Sequence, residues 1–313
     1  MSESRSKSTT KSLDPSSYRE FLRTSLAEDL GAGDITTDTI VAAGRRARGK
    51  LVAKAALVLA GLEPFLEVFR LLDPSAVAEI GRKDGEELLP GESPVEVCAF
   101  ARTLLSGERV ALNLLQRLSG IATLTRRFVR EVEGTGAQIV DTRKTTPGLR
   151  ALEKYAVRVG GGRNHRKDLA EAVLIKENHI RMAGGVAAAL RAAHPAKHRV
   201  AWTEIEVTNF DELRDALVQR PDVHSPDVIL LDNMVPAEVG QAVEQARLAQ
   251  GARRGPARGL ARAPAHKIRL EASGGITLAN VRQFAETGVD WISVGALTHS
   301  APAVDLSFEI EPI

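Results

Sequence analysis

The sequence predicts an α/β protein in which a small N-terminal α+β domain precedes a parallel β/α barrel, complete or incomplete. Two observations predict this class. After Gly136, short apolar runs alternate with segments of helical periodicity. Between residues 49 and 100, strand-like runs are grouped around one short helical segment. Because strands that alternate with helices form parallel sheets covered by helices, a barrel is favoured over a sandwich, and an open doubly wound sheet is the alternative.

Size and composition limit the class of protein. The 313 residues give room for two domains or for a barrel with an appendage, and 43% hydrophobic residues with only 4% aromatic ones predict an aliphatic core. A net charge of +2 argues against a nucleic-acid binder. Cys98 is the single cysteine, which fits a reducing cytosol, so we expect a cytoplasmic protein. No apolar run approaches the roughly 20 residues that span a membrane.

The N-terminal part is expected to contain a tail and a first domain. Residues 1–17 begin with a stretch rich in Ser, Thr and Lys that lacks an apolar core, which predicts a disordered tail. We place the first domain at residues 18–115. Its predicted elements include a helix over Leu62–Leu72, closed by Asp73 and Pro74, and short strands such as Val95–Ala99.

We place the barrel domain at residues 116–298. A long helical pattern runs from Ser106 to Glu133, and Gly120 is expected to kink or break it. The barrel strands are predicted as short apolar runs at Gln138–Asp141, Ala156–Val159, Ala172–Lys176, Val200–Val207, Val228–Asp232, Ile268–Ala272 and Val289–Val294.

Helix start signals lie between these strands. Asn209 with Glu212 three residues later resembles a capping box. Pro236 suits the first turn of a helix, and Thr277 can cap a helix that stops at Gly288.

Polar residues end nearly every predicted strand. They are Asp141, Lys176, Glu206, Asp232 and Ser273. In a β/α barrel the active site lies at the carboxyl ends of the strands, so these residues are expected to share one site.

Positive charge is concentrated after the strands. Between Arg143 and Lys176 there are nine Lys and Arg residues against three acids, Glu153, Asp168 and Glu171. Arginine binds carboxylates and phosphates in a bidentate manner, and lysine acts as a point charge. Solvated surface charge is the alternative for each cation alone, but their shared placement predicts an anion pocket. Its members are Arg143, Lys144, His165, Arg166 and Lys176.

Acidic residues are predicted on the inner face of the barrel. Side chains alternate along a strand, so Glu204 and Glu206 share the face opposite Ile205. Asp232 is a third acid at this level and Glu271 a fourth. Buried carboxylates need cations or a metal, which suits a phosphorylated substrate that arrives with Mg²⁺. A structural network of ion pairs is the alternative.

Glycines follow the last two predicted strands. Ser273, Gly274 and Gly275 precede a helix, and Gly295 follows the final strand, a placement that predicts a phosphate cradle. The sequence contains no Walker A motif, no G-x-G-x-x-G and no Cys/His ligand cluster, which argues against a zinc enzyme.

The chain resembles the quinolinate phosphoribosyltransferase family from about Glu20 to the C-terminus. The segments that carry the resemblance are Glu28–Thr36, Glu108–Asn113, Asp141–Arg150, Gly160–Gly162 with His165 and Arg166, Leu231–Asn233 and Glu271–Ile276. It departs from the family in an Arg-rich segment at 247–267, a mobile surface loop or a docking loop, and in an extended connection at 219–227. Neither interrupts a matching motif.

The resemblance implies an α/β sandwich domain, an incomplete α/β barrel of seven or fewer strands, and a tail at 299–313 that returns to the first domain. It also implies a reaction in which quinolinate and phosphoribosyl pyrophosphate give nicotinate mononucleotide, pyrophosphate and CO₂ with Mg²⁺. Arg143, His165, Arg166 and Lys176 would line the dicarboxylate pocket. Lys144 would meet pyrophosphate, and Glu206 and Asp232 would face the ribose and metal. Ser273, Gly274, Gly275 and Gly295 would hold the 5′-phosphate.

The resemblance further implies a homodimer in which Arg109 enters the neighbouring subunit's site, and a hexamer is also compatible. No nucleic-acid or membrane partner is expected. Three other functions stay open. They are a paralogue of the same fold from the molybdenum operon with another acceptor, a barrel aldolase or isomerase with Lys176 as a Schiff-base lysine, and a non-catalytic sensor of phosphorylated metabolites.

Overall fold

A computed structural model describes residues 13–218, 225–252 and 267–313 of the chain. Most of the expected N-terminal tail, of the Arg-rich segment at 247–267 and of the connection at 219–227 lies outside these residues. Within the described part of the tail, Pro15–Ser17 forms a 3₁₀ turn that Asp14 caps.

The described helices are α1 (Arg19–Leu30), α2 (Ile35–Ile40), α3 (Leu62–Leu72), α4 (Ala101–Glu131), α5 (Arg150–Val159), α6 (Glu177–Ala183), α7 (Val186–Ala193), α8 (Phe210–Leu217), α9 (Pro236–Ala252), α10 (Val281–Glu286) and α11 (Ala296–His299). The described strands are β1 (Arg46–Ala53), β2 (Leu57–Val58), β3 (Val77–Ile80), β4 (Glu87–Leu88), β5 (Val95–Phe100), β6 (Gln138–Val140), β7 (Val173–Ile175), β8 (Thr203–Val207), β9 (Val228–Asp232), β10 (Arg269–Ser273), β11 (Trp291–Ser293) and β12 (Leu306–Pro312).

These elements form two compact units. The first unit contains the described residues up to Arg126, together with Lys144–Gly162 and Ala296–Ile313. The second unit contains Arg127–Arg143 and Arg163–Gly295.

An antiparallel sheet organises the first unit, with the strand order β12-β1-β5-β3. The C-terminal strand β12 pairs with β1 from Ala53 opposite Leu306 to Ala47 opposite Pro312. Phe308 of β12 stacks on Phe69 of α3 at 5.4 Å between ring centroids. This aromatic contact attaches the C-terminus of the chain to the core of the first unit.

Helix α4 is longer than the sequence predicted. It runs without a break through Gly120, so the helix does not end there as one of the two expectations had it. A Cβ at Gly120 would lie 2.1 Å from the carbonyl oxygen of Pro302, so the glycine admits a close backbone approach. The expected domain boundary between residues 115 and 116 falls inside this helix. The division between the two compact units, after Arg126, also falls inside α4 but nearer its C-terminal end.

One predicted barrel strand is wrong. Ala156–Val159 forms the last turn of α5, whose residues Leu152, Ala156 and Val157 are buried on one face at helical spacing. The helix ends against α4, since a Cβ at Gly160 would lie 2.6 Å from the carbonyl oxygen of Ala122. A short apolar run next to glycines is compatible with either element, and the helical contacts decide it here.

The other six predicted strands form one parallel sheet in the second unit, with the order β6-β11-β10-β9-β8-β7. The first of these strands in the chain therefore lies beside the last, as in a barrel, while β6 and β7 form the two edges. A doubly wound sheet would instead reverse its order at a central strand. The prediction of an incomplete α/β barrel is confirmed, with six strands in the described residues.

Helix starts in this unit follow two of the three predicted signals. Asn209 Oδ1 accepts from the Glu212 amide at 2.9 Å, and Pro236 begins α9. Thr277 does not cap a helix; Asn280 occupies that position, because residues 277–280 form a turn before α10.

Register places the strand ends at one edge of the sheet. Glu206 is level with Leu230, which is level with Glu271, and Asp232 is level with Ser273. Side chains from neighbouring strands therefore meet at the carboxyl edge, as the sequence predicted.

Candidate active site

Two arginines converge in the second unit. Arg166 is buried and donates from Nη1 to the carbonyl oxygen of Ala172 at 2.9 Å. Burial, and then the charge of Arg143, lower the pKa of Arg166. Arg143 Nε is itself buried and has no hydrogen-bond acceptor within the described residues. A like-charged pair with an unsatisfied donor is costly unless an anion binds it.

A lysine and a glutamate meet at the carboxyl edge of the same sheet. Lys176, which follows β7, donates from Nζ to Glu206 Oε2 at 2.6 Å, and its side chain is half exposed. Glu206 is the penultimate residue of β8, and its side chain is 12% exposed.

The loops after β9 and β10 pack against each other. Asp232 Oδ2 accepts from Asn233 Nδ2 at 2.7 Å, and the Asn233 amide donates to the carbonyl oxygen of Ser273 at 2.9 Å. Gly274 has φ of +94°, and a Cβ there would lie 2.1 Å from Asn233 Oδ1. Only glycine fits this position, and Gly275 also has positive φ. Gly295 follows β11 as the last residue of the second unit.

His165 directly precedes Arg166 in the chain, and both of its ring nitrogens are engaged. Nδ1 accepts from the Arg166 amide at 2.8 Å, and Nε2 lies 2.9 Å from Glu204 Oε2. Since Nδ1 is an acceptor, the proton of the neutral ring is on Nε2, which donates to Glu204. Trp202 Nε1 donates to the same oxygen at 3.0 Å. Asp141 Oδ1 accepts from the His165 amide at 2.8 Å and fixes the main chain.

A second carboxylate lies beside this histidine. Glu271 Oε2 is 3.7 Å from His165 Nε2, and Glu271 and Glu204 are both almost fully buried. Glu204 Oε1 and Glu271 Oε2 have no hydrogen-bond partner in the part of the chain that the structure describes. Burial, and then the charge of Glu204, raise the pKa of Glu271 well above its usual value. The pair is therefore expected to hold a proton.

Three of these side chains have the ligand types of a metal site, since atoms of His165, Glu204 and Glu271 lie within 4.8 Å of one another. The hydrogen bonds argue against that assignment. A metal on Nε2 would require a proton on Nδ1, and that proton would point at the amide of Arg166, which is also a donor. The cluster is better described as a buried hydrogen-bonded support for His165.

Two predicted site residues belong to the first unit. Lys144 is exposed, and its carbonyl oxygen accepts from Thr298 Oγ1 at 2.7 Å. Arg109 is exposed on α4 and lines a cavity of about 380 Å³ together with Glu28, Asp29 and Asn113. Leu149 lines it as well, so the cavity gathers residues from three of the segments that carry the family resemblance.

Comparison with known families assigns both parts of the chain. The model of the quinolinate phosphoribosyl transferase N-terminal domain matches residues 34–119, and the C-terminal domain model matches residues 121–309. The chain belongs to the quinolinate phosphoribosyltransferase family.

Individual members of this family are similar over nearly the whole chain. A Bacillus subtilis protein named probable nicotinate-nucleotide pyrophosphorylase (carboxylating) is 40% identical, with 93% of each chain covered. A Mycobacterium leprae protein named nicotinate-nucleotide pyrophosphorylase (carboxylating) is 41% identical, with 93% of this chain and 96% of the relative covered. The crystal structure of NadC from Streptococcus pyogenes superposes with a TM-score of 0.85 at 36% identity, covering 97% of this chain and 99% of that one.

Sequence reasoning missed part of the support of the site. The hydrogen bond from Trp202 to Glu204 was not predicted, because nothing in the sequence around a tryptophan indicates which acceptor its indole N–H will meet. Arg117 and Glu153 were not predicted to form a partly buried ion pair at 2.8 Å, since they lie 36 residues apart in the chain.

The pKa of Glu271 gives a testable pH dependence. The folded state retains a proton that the unfolded chain, with its ordinary pKa of 4.5, releases, so this carboxyl lowers stability as pH rises through the folded pKa. Glu271→Gln mimics the protonated acid. We expect its melting temperature, relative to the unmodified protein, to rise between about pH 5 and pH 8 in thermal denaturation. Glu286→Gln, at an exposed glutamate, is the control and should give a constant difference. A constant difference for Glu271→Gln as well would contradict the buried proton.

Proposed function

We propose that this protein transfers the phosphoribosyl group of phosphoribosyl pyrophosphate to quinolinate with decarboxylation. The products are nicotinate mononucleotide, pyrophosphate and CO₂, a step of de novo NAD biosynthesis. Family membership supports this activity, as do the names of the relatives from Bacillus subtilis and Mycobacterium leprae. Within the chain, the pairing of Arg143 with Arg166 carries the proposal, because a buried guanidinium beside a half-buried one suits a substrate with two adjacent carboxylates.

Quinolinate would bind through charge complementarity. Arg143, Arg166 and Lys176 would contact its carboxylates, Arg143 using the buried Nε that lacks an acceptor. His165 is assigned to this pocket as well, and its two engaged nitrogens favour a positioning role, because it holds the main chain of Arg166. The hydrogen bond from Arg166 to Ala172 orients the guanidinium from the other side.

The phosphoribosyl group would bind at the ends of β8 to β11. Glu206 and Asp232 offer carboxylate oxygens on neighbouring strands, the donors that Mg²⁺ prefers, and Mg²⁺ needs only one or two of them because it keeps waters and phosphate oxygens. Bound Mg²⁺ would supply charge stabilisation for pyrophosphate. Lys144 would neutralise the same leaving group. The 5′-phosphate would lie against Ser273, Gly274, Gly275 and Gly295.

The protein would act mainly by positioning and by charge. The pyridine nitrogen of quinolinate attacks the anomeric carbon as the bond to pyrophosphate breaks, and Glu206 and Asp232 stabilise the positive charge that builds on the ribose. The alkylated ring then withdraws the electron pair of the carbon–carboxylate bond. CO₂ leaves and the ring carbon takes a proton, which completes nicotinate mononucleotide.

We further propose a cytoplasmic homodimer with shared active sites. Arg109 lies exposed on α4 beside a cavity, where it is accessible to a second copy of the chain. A hexamer built from such dimers is compatible with the same arrangement. Among the helices of the described residues, none is long and apolar enough to cross a membrane.

Release of CO₂ from carboxyl-labelled quinolinate tests the function directly. With phosphoribosyl pyrophosphate and Mg²⁺ we expect one CO₂ per pyrophosphate formed, and removal of divalent ions by a chelator should abolish both products. Borohydride treatment in the presence of substrates should trap no adduct on Lys176. Phosphoribosyl transfer to another acceptor without CO₂ would indicate the paralogue instead, and binding without turnover would indicate a sensor.

Mixing two impaired variants tests the shared sites. Arg109→Ala and Lys144→Ala are each expected to be inactive, and both residues are exposed, so folding should be retained. After subunit exchange, about half of the dimers contain one subunit of each variant, and one of the two sites in such a dimer is intact. The mixture should therefore recover about one quarter of the normal activity. Each variant mixed with itself is the control. Absence of recovery in dimers shown by mass spectrometry to be mixed would contradict sites shared between subunits.

A further inference from the structure

A buried carboxylate that the proposed reaction does not use lies in the first unit. Glu153, in the first turn of α5, is fully buried. Its Oε1 accepts from Arg117 Nη2 at 2.8 Å and from Thr146 Oγ1 at 2.9 Å. Its Oε2 accepts from the Thr146 amide at 3.2 Å. A buried charge with this many donors is satisfied and holds its partners in one arrangement.

Arg117 connects this carboxylate to the C-terminal part of the first unit. Its Nη1 donates to the carbonyl oxygen of Ala301 at 3.1 Å, and Nη2 also contacts the carbonyl oxygen of Thr298. Arg117 lies on the long helix α4, and Thr298 lies on α11. Three helices therefore converge on the segment that contains Thr146.

The same segment is held from its other side. Thr298 is fully buried, and its Oγ1 donates to the carbonyl oxygen of Lys144 at 2.7 Å. Arg150 Nε donates to Thr145 Oγ1 at 3.0 Å. The main chain of residues 144–146 is thus fixed by hydrogen bonds at both ends, while the side chain of Lys144 is exposed.

We propose that Glu153 and Thr298 are positioning residues that present Lys144 to the pyrophosphate of the donor substrate. An exposed lysine has many rotamers, so its main chain must be fixed if the ammonium is to meet a leaving group in a defined place. This inference rests on the proposed function of Lys144. It adds that the charge of Glu153 acts through Thr146 and Arg117 and touches no substrate.

The arrangement around Glu153 requires a carboxylate. Both oxygens of Glu153 face donors, so a glutamine must turn its NH₂ group toward either the Thr146 amide or the side chains of Arg117 and Thr146. Glu153→Gln keeps the size of the side chain but replaces an acceptor with a donor at one of these contacts. Thr298→Val keeps the shape and removes the hydrogen bond to Lys144.

A matched control exists on the same helix. Tyr155 Oη donates to Asp84 Oδ2 at 2.7 Å, a partly buried hydrogen bond in the first unit that does not involve residues 144–146. Tyr155→Phe removes this bond and is expected to lower the melting temperature without changing substrate affinity. It separates loss of stability from loss of positioning.

The experiment measures equilibrium binding of pyrophosphate with Mg²⁺ by calorimetry, beside steady-state kinetics. Glu153→Gln and Thr298→Val should each weaken pyrophosphate binding by about tenfold or more and lower kcat, while the KM for quinolinate stays within about twofold. In the Lys144→Ala background, Glu153→Gln should cause no further loss of pyrophosphate affinity, because the two act on one contact.

Two outcomes would overturn the inference. One is that Glu153→Gln and Thr298→Val match Tyr155→Phe in pyrophosphate affinity. The other is that the effects of Glu153→Gln and Lys144→Ala are additive. If the unmodified enzyme is active, either result rejects the positioning roles of Glu153 and Thr298 and leaves the proposed function intact. If the unmodified protein forms no nicotinate mononucleotide, the proposed function itself is rejected.

Discussion

Two guanidinium groups of like charge, Arg166 buried and Arg143 half-buried, are the constraint on which the second unit depends. Arg143 and Arg166 repel each other, and burial makes that repulsion stronger because solvent screens it less. A protein tolerates this arrangement only if the surrounding structure enforces it. The free-energy cost of this repulsion is offset when an anion with two acceptor groups binds between the guanidiniums. Relief of the repulsion therefore contributes to the binding of the anion.

A buried hydrogen-bonded cluster around His165 fixes the position of Arg166. Glu204 and Trp202 hold the ring of His165, and Nδ1 of that ring holds the amide of Arg166. The hydrogen bonds of His165 with Glu204 and Arg166 join buried groups, for which an unmade bond is costly. The proton that Glu271 is expected to retain limits the negative charge of the Glu204–Glu271 pair beside His165. The positive charge of Arg143 and Arg166 is therefore less neutralised by the protein and stays available for a substrate.

Much of this organisation could be predicted from local pattern. Apolar runs gave six of the strands, and polar residues at their ends indicated the edge where Lys176 and Glu206 pair. Asn209 gave a helix start because a side-chain cap acts within three residues. Such signals are short in sequence and depend on physical rules that need no tertiary partner.

The remaining features depend on partners distant in the chain. Gly120 was expected to kink or break a helix. The structure gives another reason for a glycine at this position, because the carbonyl of Pro302 comes too close for a Cβ. Ala156–Val159 is apolar enough for a strand, and only its packing as part of α5 identifies a helix. His165 was assigned to the pocket by charge and resemblance, and its engagement by Glu204 and Arg166 became visible only in three dimensions.

Calorimetric binding of quinolinate tests the arginine pair most directly, with nicotinate, which lacks one carboxylate, as the matched ligand. Quinolinate should bind the unmodified protein at least about tenfold more tightly than nicotinate, and Arg143→Ala should lose about 2–4 kcal/mol of quinolinate binding. Arg163→Ala removes an exposed cation that stacks on Trp291 and should bind quinolinate normally. Equal affinities for the two ligands, or equal losses in the two variants, would contradict the claim that these guanidiniums form a dicarboxylate site.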